Sequence, residues 1–135
     1  MAYEENLTFS RVSGIANSNL SAKQFFAVDY VNDTSAVPTP LGIDIATAGN
    51  GCLGILQDNP IQGQAGAVAV SGITKAAISA STVLTAGTTF LEIDTGGTLK
   101  AHASGTVVAQ ALETLASTAA VCIVAVRLMP SNATN

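Results

Sequence analysis

Apolar residues along this chain come in short runs separated by glycine, proline and small polar residues. The runs are Phe25–Val31, Cys52–Leu56, Ala67–Ser71, Ile73–Ala80, Thr89–Ile93, Thr98–His102, Thr106–Leu112 and Ala120–Leu128. Between them stand Asn50-Gly51, Asn59-Pro60, Gly63, Gly72, Ala86-Gly87, Gly96-Gly97 and Ser104-Gly105. Short β-branched and aromatic segments bounded by such breakers predict strands. In the last run Cys122 alternates with Val124, Val126 and Leu128, the period of a strand with one buried face. Asp94-Thr95-Gly96-Gly97 lies between two apolar runs and predicts a hairpin turn, because glycine accepts the positive φ such turns need. Val108, Leu112 and Leu115 also fit helical spacing, so Thr106–Leu112 reads as strand or helix, with strand preferred. The regular spacing predicts an all-β fold, a small barrel or sandwich of short antiparallel strands.

The flanks look different. Residues 1–22 are small and polar, with isolated apolar points at Tyr3, Leu7, Phe9, Val12 and Ile15, and predict an extended N-terminal arm outside the core. Pro38 and Pro40 make Asn32–Leu41 a loop. Residues 23–130 then form a single β domain, and residues 131–135 a flexible tail.

Composition sharpens this picture. The chain is 48% hydrophobic but only 10% charged, against about a quarter charged in an ordinary globular chain. A surface so poor in charge points to coverage by partners. Net charge is −4, and the basic residues Arg11, Lys23, Lys75, Lys100 and Arg127 stand singly. Nucleic-acid binding needs a basic stripe to neutralise phosphates, so that class is set aside. The longest strictly apolar run, Ala119–Val126, falls short of the roughly 20 residues of a bilayer-spanning helix. Met-Ala-Tyr-Glu-Glu-Asn lacks the basic region and apolar core of a secretory signal, so synthesis and folding in a cytoplasm are expected.

Candidate chemistry is sparse. Cys52 and Cys122, in a reducing compartment, read as small buried hydrophobes. With the single His102 they make no zinc set. His102 has no Cys or Asp at nucleophile-relay spacing, and no Gly-x-Ser-x-Gly elbow exists, so it reads as a partly exposed strand residue. Asp29, Asp33 and Asp44 are too dispersed for a calcium loop. Gly63-Gln64-Ala65-Gly66 lacks the Gly-Lys-Ser/Thr end of a phosphate loop. The sequons at Asn6, Asn32 and Asn132 carry no meaning without a secretory route. Asp94-Thr95-Gly96 after an apolar run is similar to the active-site loop of retroviral-type aspartic proteases, where two facing carboxylates share a proton. That family also has a downstream apolar-apolar-Gly segment, and Ala119–Leu128 contains no glycine. No catalytic, cofactor-binding or metal-binding residue is therefore expected.

One ordered string of motifs does point to a family. It begins with Gly54-Ile55-Leu56-Gln57, then a proline and a glycine-rich loop, then Val68-Ala69-Val70-Ser71-Gly72-Ile73-Thr74-Lys75. Ala86-Gly87, Asp94–Gly97, Ala111-Leu112-Glu113 and the closing Val121–Leu128 follow in order. From about Gly42 to Leu128 this resembles the capsid cement, or head decoration, proteins of tailed bacteriophages. The resemblance departs at Ser117-Thr118-Ala119-Ala120, where a Gly-Asp or Asp-Gly turn would stand. It implies a virion protein, made in the bacterial host cytoplasm and sitting on the outer surface of the head. It implies a homotrimer at local three-fold positions that clamps neighbouring major capsid subunits. Leu7, Phe9 and Val12 are then the expected capsid anchors of the arm, adding a strand to a capsid sheet edge. The alternative is a saccharide-binding β-module of a phage or bacterial surface fibre or adhesin; the absence of Trp and the presence of only Tyr3 and Tyr30 disfavour it.

Overall fold

The computed structural model describes residues 9–31, 41–117 and 119–129. These residues hold nine strands and no helix: β1 Phe9–Ala16, β2 Ala27–Val31, β3 Gly42–Ile45, β4 Gly54–Leu56, β5 Ala65–Ile78, β6 Phe90–Ile93, β7 Leu99–Ala101, β8 Ala109–Ala111 and β9 Cys122–Leu128. The all-β expectation holds.

The strands close on one another in two circuits. The first runs β1–β3–β2–β4–β5 and back to β1; the second runs β5–β7–β6–β8–β9 and back to β5. The 14-residue β5 belongs to both. Its first half pairs with β1 along Phe9–Ile15 and with β4 at Val68 and Ala69. Its second half pairs with β9 along Cys122–Leu128 and with β7 at Ile78. Gly72, at φ 93°, is the changeover, facing both Phe9 and Leu128. The pairings are mixed rather than purely antiparallel, since β1–β3 and β5–β7 run parallel.

Each circuit has its own apolar centre. Ala16, Leu20, Val28, Ile43, Leu56 and Val68 fill the first. The second is larger and includes Ile78, Leu84, Leu91, Ile93, Leu99, Val108, Val124 and Val126. Neighbouring residues of one strand serve different centres. Val28, Leu56 and Val68 face the first, while Ala27, Ile55 and Ala69 face the second. Strands β2 and β4 are thus apolar on both faces where they pass between the centres, as continuous apolar runs require. Burying a Leu or Ile side chain contributes roughly 1.5–3 kcal/mol, so these shared strands bind the two circuits into one unit.

Several sequence expectations change. The expected arm is part of the sheet from Phe9 onward, and residues 17–22 fold back on it. Asn17 N donates to Ile43 O at 2.9 Å, and Leu20 N to Pro60 O at 2.9 Å, with Leu20 buried. The Ser-Gly-Ala content of β1 hides the signal, because Gly14 and Ala16 are buried with little apolar bulk. Residues 1–8 lie outside the described residues, as do residues 32–40 of the expected Asn32–Leu41 loop and the expected tail at 131–135. The two runs split at Gly72 are one strand. Phe25 lies outside β2: its φ is 70°, and its N–H donates to Leu56 O at 2.7 Å while its carbonyl accepts from Ala77 N at 2.9 Å. Strain of this kind persists only where surrounding contacts impose it. Thr106–Leu112 contains strand rather than helix, but only Ala109–Ala111 pairs. Gly42–Ile45 is a strand that the sequence did not single out.

Gly54 marks the tightest approach. A Cβ there would overlap the Ala69 carbonyl oxygen and lie 3.1 Å from Val68 Cγ1. The backbone of β5 has nowhere to retreat, because its other edge holds β1. We expect Gly54→Ala to cost more than about 3 kcal/mol, beyond ordinary overpacking. Gly63→Ala, at φ 86° with nothing within 4 Å, should cost only the left-handed strain of about 1–2 kcal/mol. Urea midpoints of the two variants would check this; equal losses would contradict it.

Candidate functional site

The densest polar cluster lies on the β6–β7 hairpin and the loop after it. Glu92 sits mid-strand in Phe90-Leu91-Glu92-Ile93 and is 3% exposed. One of its oxygens, Oε2, accepts from the backbone N–H of Ala103 at 2.9 Å, Ser104 at 3.1 Å and Gly105 at 2.7 Å. His102 Nδ1 lies 3.0 Å from the same oxygen. Lys100 Nζ is 3.6 Å from Oε1. Burial pushes the carboxyl up, but the amides of Ala103 and Gly105, then His102 and Lys100, outweigh it and hold the pKa down at about 2. The loop so gathered is pressed against the β3–β4 connection. Thr106 N donates to Gly49 O at 2.9 Å, and a Cβ on Gly105 would come within 2.7 Å of Gly49 Cα. Glu92 is therefore a structural clamp: the concave set of amides that could bind an anion already holds a carboxylate of its own chain.

Asp94 occupies the turn of the same hairpin. Its backbone N–H donates to Thr98 O at 2.7 Å, and Gly96 and Gly97 take positive φ, as a hairpin turn predicts. Ser79 Oγ donates to Asp94 Oδ2 at 2.7 Å, and Thr95 N to Oδ1 at 2.8 Å. The Ser79 bond lowers the pKa most; burial opposes it, and the Thr95 amide and Lys100, 3.9 Å away, add to the lowering. The Asp94 carboxylate is engaged in ordering its own turn. The Glu92 carboxylate, which acts on Asp94 electrostatically, is locked into the loop clamp.

The remaining expected residues fall apart in space or serve the fold. His102 is about two-fifths exposed and touches Glu92 rather than a nucleophile. Cys52 and Cys122 are both half-buried, and Cys122 Sγ donates to Ala120 O at 3.6 Å. Burial, then Asp29, pushes the Cys52 thiol up to about 12, so it is an inert thiol rather than a reactive one. Cys52 lines a shallow groove of about 260 Å³ with Leu53, Gly54, Val70, Val108, Leu128 and Met129. Among the described residues, no group of His, Cys, Asp and Glu could hold a metal ion. Of the expected capsid anchors, Leu7 lies outside the described residues. Phe9 is placed by its backbone opposite Gly72, and Val12 packs against the first apolar centre. Gln57 and Glu113, both from the motif string, act as ties. Gln57 Nε2 donates to Thr74 Oγ1 at 2.8 Å, and Glu113 Oε2 accepts from Ala125 N at 2.9 Å.

Sequence reasoning missed Glu92. Its signal was a lone acid inside an apolar run, followed ten positions later by the only histidine. A buried charge must be matched, and a following Ser-Gly turn can supply amides to match it.

The fold is an all-β scaffold of two strand circuits, and its buried polar side chains hold loops in place. No family model matches the chain, and no curated protein matches it. Among solved structures it is similar to the N base of the head fiber protein gp8.5 of bacteriophage phi29. The match covers 95% of this chain and 100% of that one, at a TM-score of 0.64 and 15% identity. At that identity the likeness is one of fold.

The clamp predicts a pH dependence. A carboxyl held at about 2 in the folded state and near 4.5 in the unfolded state stabilises the fold fully above pH about 4.5. That stability is lost as pH falls from there towards 2. Glu92→Gln should lower stability at neutral pH by about 1.5–3 kcal/mol, the range for hydrogen bonds to charged groups, and flatten this acid limb. Urea midpoints between pH 2 and 7 would read both effects; an unchanged acid limb would exclude Glu92 as its source.

Proposed function

We propose that this chain is a structural protein of a phage head, docked on the outer surface and stabilising the mature lattice. The observation that supports this most is the fold match spanning the whole of a head-fiber base. The motif order from Gly54 to Leu128 and the charge-poor surface agree with it. In this reading the chain has no catalytic task. Its polar residues stiffen hairpins and loops, and its exposed apolar residues, such as Tyr30, Val83, Phe90 and Ile123, are available to partners. Those partners are the major capsid protein and further copies of the chain, as a homotrimer at local three-fold positions.

Linkage explains how such docking stabilises. A protein that binds the expanded lattice but not the immature or dissociated one favours the expanded state by mass action. The gain is about 2.7 kcal/mol per site at a hundredfold excess over the dissociation constant. Symmetric repetition over the head then adds many such gains. A second reading is that the chain forms the base of a fibre standing on the head, and the name of the matched structure favours it.

Purified protein mixed with expanded, emptied phage heads should co-sediment and saturate, and should have a trimer's mass in solution. Electron microscopy of saturated heads separates the two readings: low density at three-fold positions supports a clamp, and projecting density a fibre base. A monomer that binds glycans and ignores heads would overturn both.

A further inference from the structure

The β3–β4 connection carries Asn50-Gly51, and its surroundings set it apart from the other asparagines described. Among the described residues the asparagines are Asn17, Asn19, Asn50 and Asn59. Asn17 Nδ2 lies 3.5 Å from Asp44 Oδ2, and its carbonyl accepts from Gln62 Nε2 at 3.2 Å. Asn19 Oδ1 accepts from Ser21 N at 3.1 Å, and its successor is the buried Leu20. Asn59 precedes Pro60, which has no N–H. Asn50 differs from all three. It is exposed, lies outside any strand, and is followed by Gly51. Its own N–H donates to Thr47 O at 3.2 Å, closing a turn with Gly49 at φ 78°. With Gly49 in third position this is a type II turn. Among the described residues, neither the Asn50 side chain nor the Gly51 amide takes part in a hydrogen bond.

We propose that Asn50-Gly51 is a site of spontaneous deamidation in the folded protein. The Gly51 amide nitrogen gives up its proton to water or hydroxide and bonds to Asn50 Cγ. The Cγ–Nδ2 bond breaks, ammonia leaves, and a succinimide ring remains. Water then opens the ring at Cγ, giving aspartate, or at the Asn50 main-chain carbonyl, giving isoaspartate. Glycine at the second position offers no Cβ to obstruct the approach. Either product adds a negative charge at an exposed site. Isoaspartate also inserts one carbon into the backbone beside Gly49. The N–H of Gly49 donates to Ile93 O at 3.0 Å, and its carbonyl accepts from Thr106. The lesion therefore adjoins the loop that Glu92 gathers.

The test is to hold the folded full-length protein at mildly alkaline pH for days, then map its peptides by mass spectrometry. A denatured sample is run beside it. The peptide spanning 50–51 should lose its amide and show an isoaspartyl fraction, while those of Asn17 and Asn19 stay intact. Gly51→Ala should abolish most of that conversion. Retention of the Asn50 amide while the denatured sample converts would overturn the proposal, as would equal conversion in Gly51→Ala.

Discussion

The structure depends on one strand serving two closed circuits. A β-strand has only two edges, so β5 can satisfy four neighbours only by being long and by dividing its length among them. The division falls at Gly72, where the pairing with β1 ends and the pairing with β9 begins. Everything else follows from that sharing. Both circuits are held in register by one backbone, and β2 and β4 are trapped between two apolar centres. Closure also limits the free strand edges that invite uncontrolled pairing.

The polar interior answers a second constraint. Small circuits of short strands leave long connections, and a connection with few apolar residues cannot be held by packing. Glu92 replaces packing with charge-assisted hydrogen bonds, which are shorter and stronger than neutral ones. Asp94 does the same for its turn through Ser79, and Asp44 for the segment after β1, accepting from Ser18 Oγ at 2.8 Å. Three acids thus fix three connections, in a chain with few acids to use.

Much of the fold was legible because the apolar runs and their breakers were sharp. Phe90–Ile93, the Asp94 turn, Thr98–His102 and the last strand all lie where alternation and glycine put them. Strand β1 was not legible. Among its residues of described burial, the buried ones are Gly14 and Ala16, which carry almost no hydropathy signal, and their burial comes from tertiary closure. Gly72 misled in the opposite sense: a glycine that turns a strand between partners looks, in sequence, like one that ends it. Phe25 was assigned to a strand on its aromatic character, which says nothing about a backbone forced to positive φ by bonds to Leu56 and Ala77. At the polar cluster, the sequence offered His102 and Asp94 as separate points. Glu92, which links to the loop after β7, needed the pairing of β6 with β7 before its role could appear.

Gly72 faces Phe9 and Leu128 at once, so the chain enters and leaves the described fold at the same waist. Strand neighbours lie about 5 Å apart, which puts the two exits within roughly 10 Å of each other. Topologically the fold is almost a loop. A short linker could join its ends and the chain could be reopened at a solvent-facing turn such as Gly63 or Gly87. By the same geometry, whatever is tethered to either end would pull on one point of one strand.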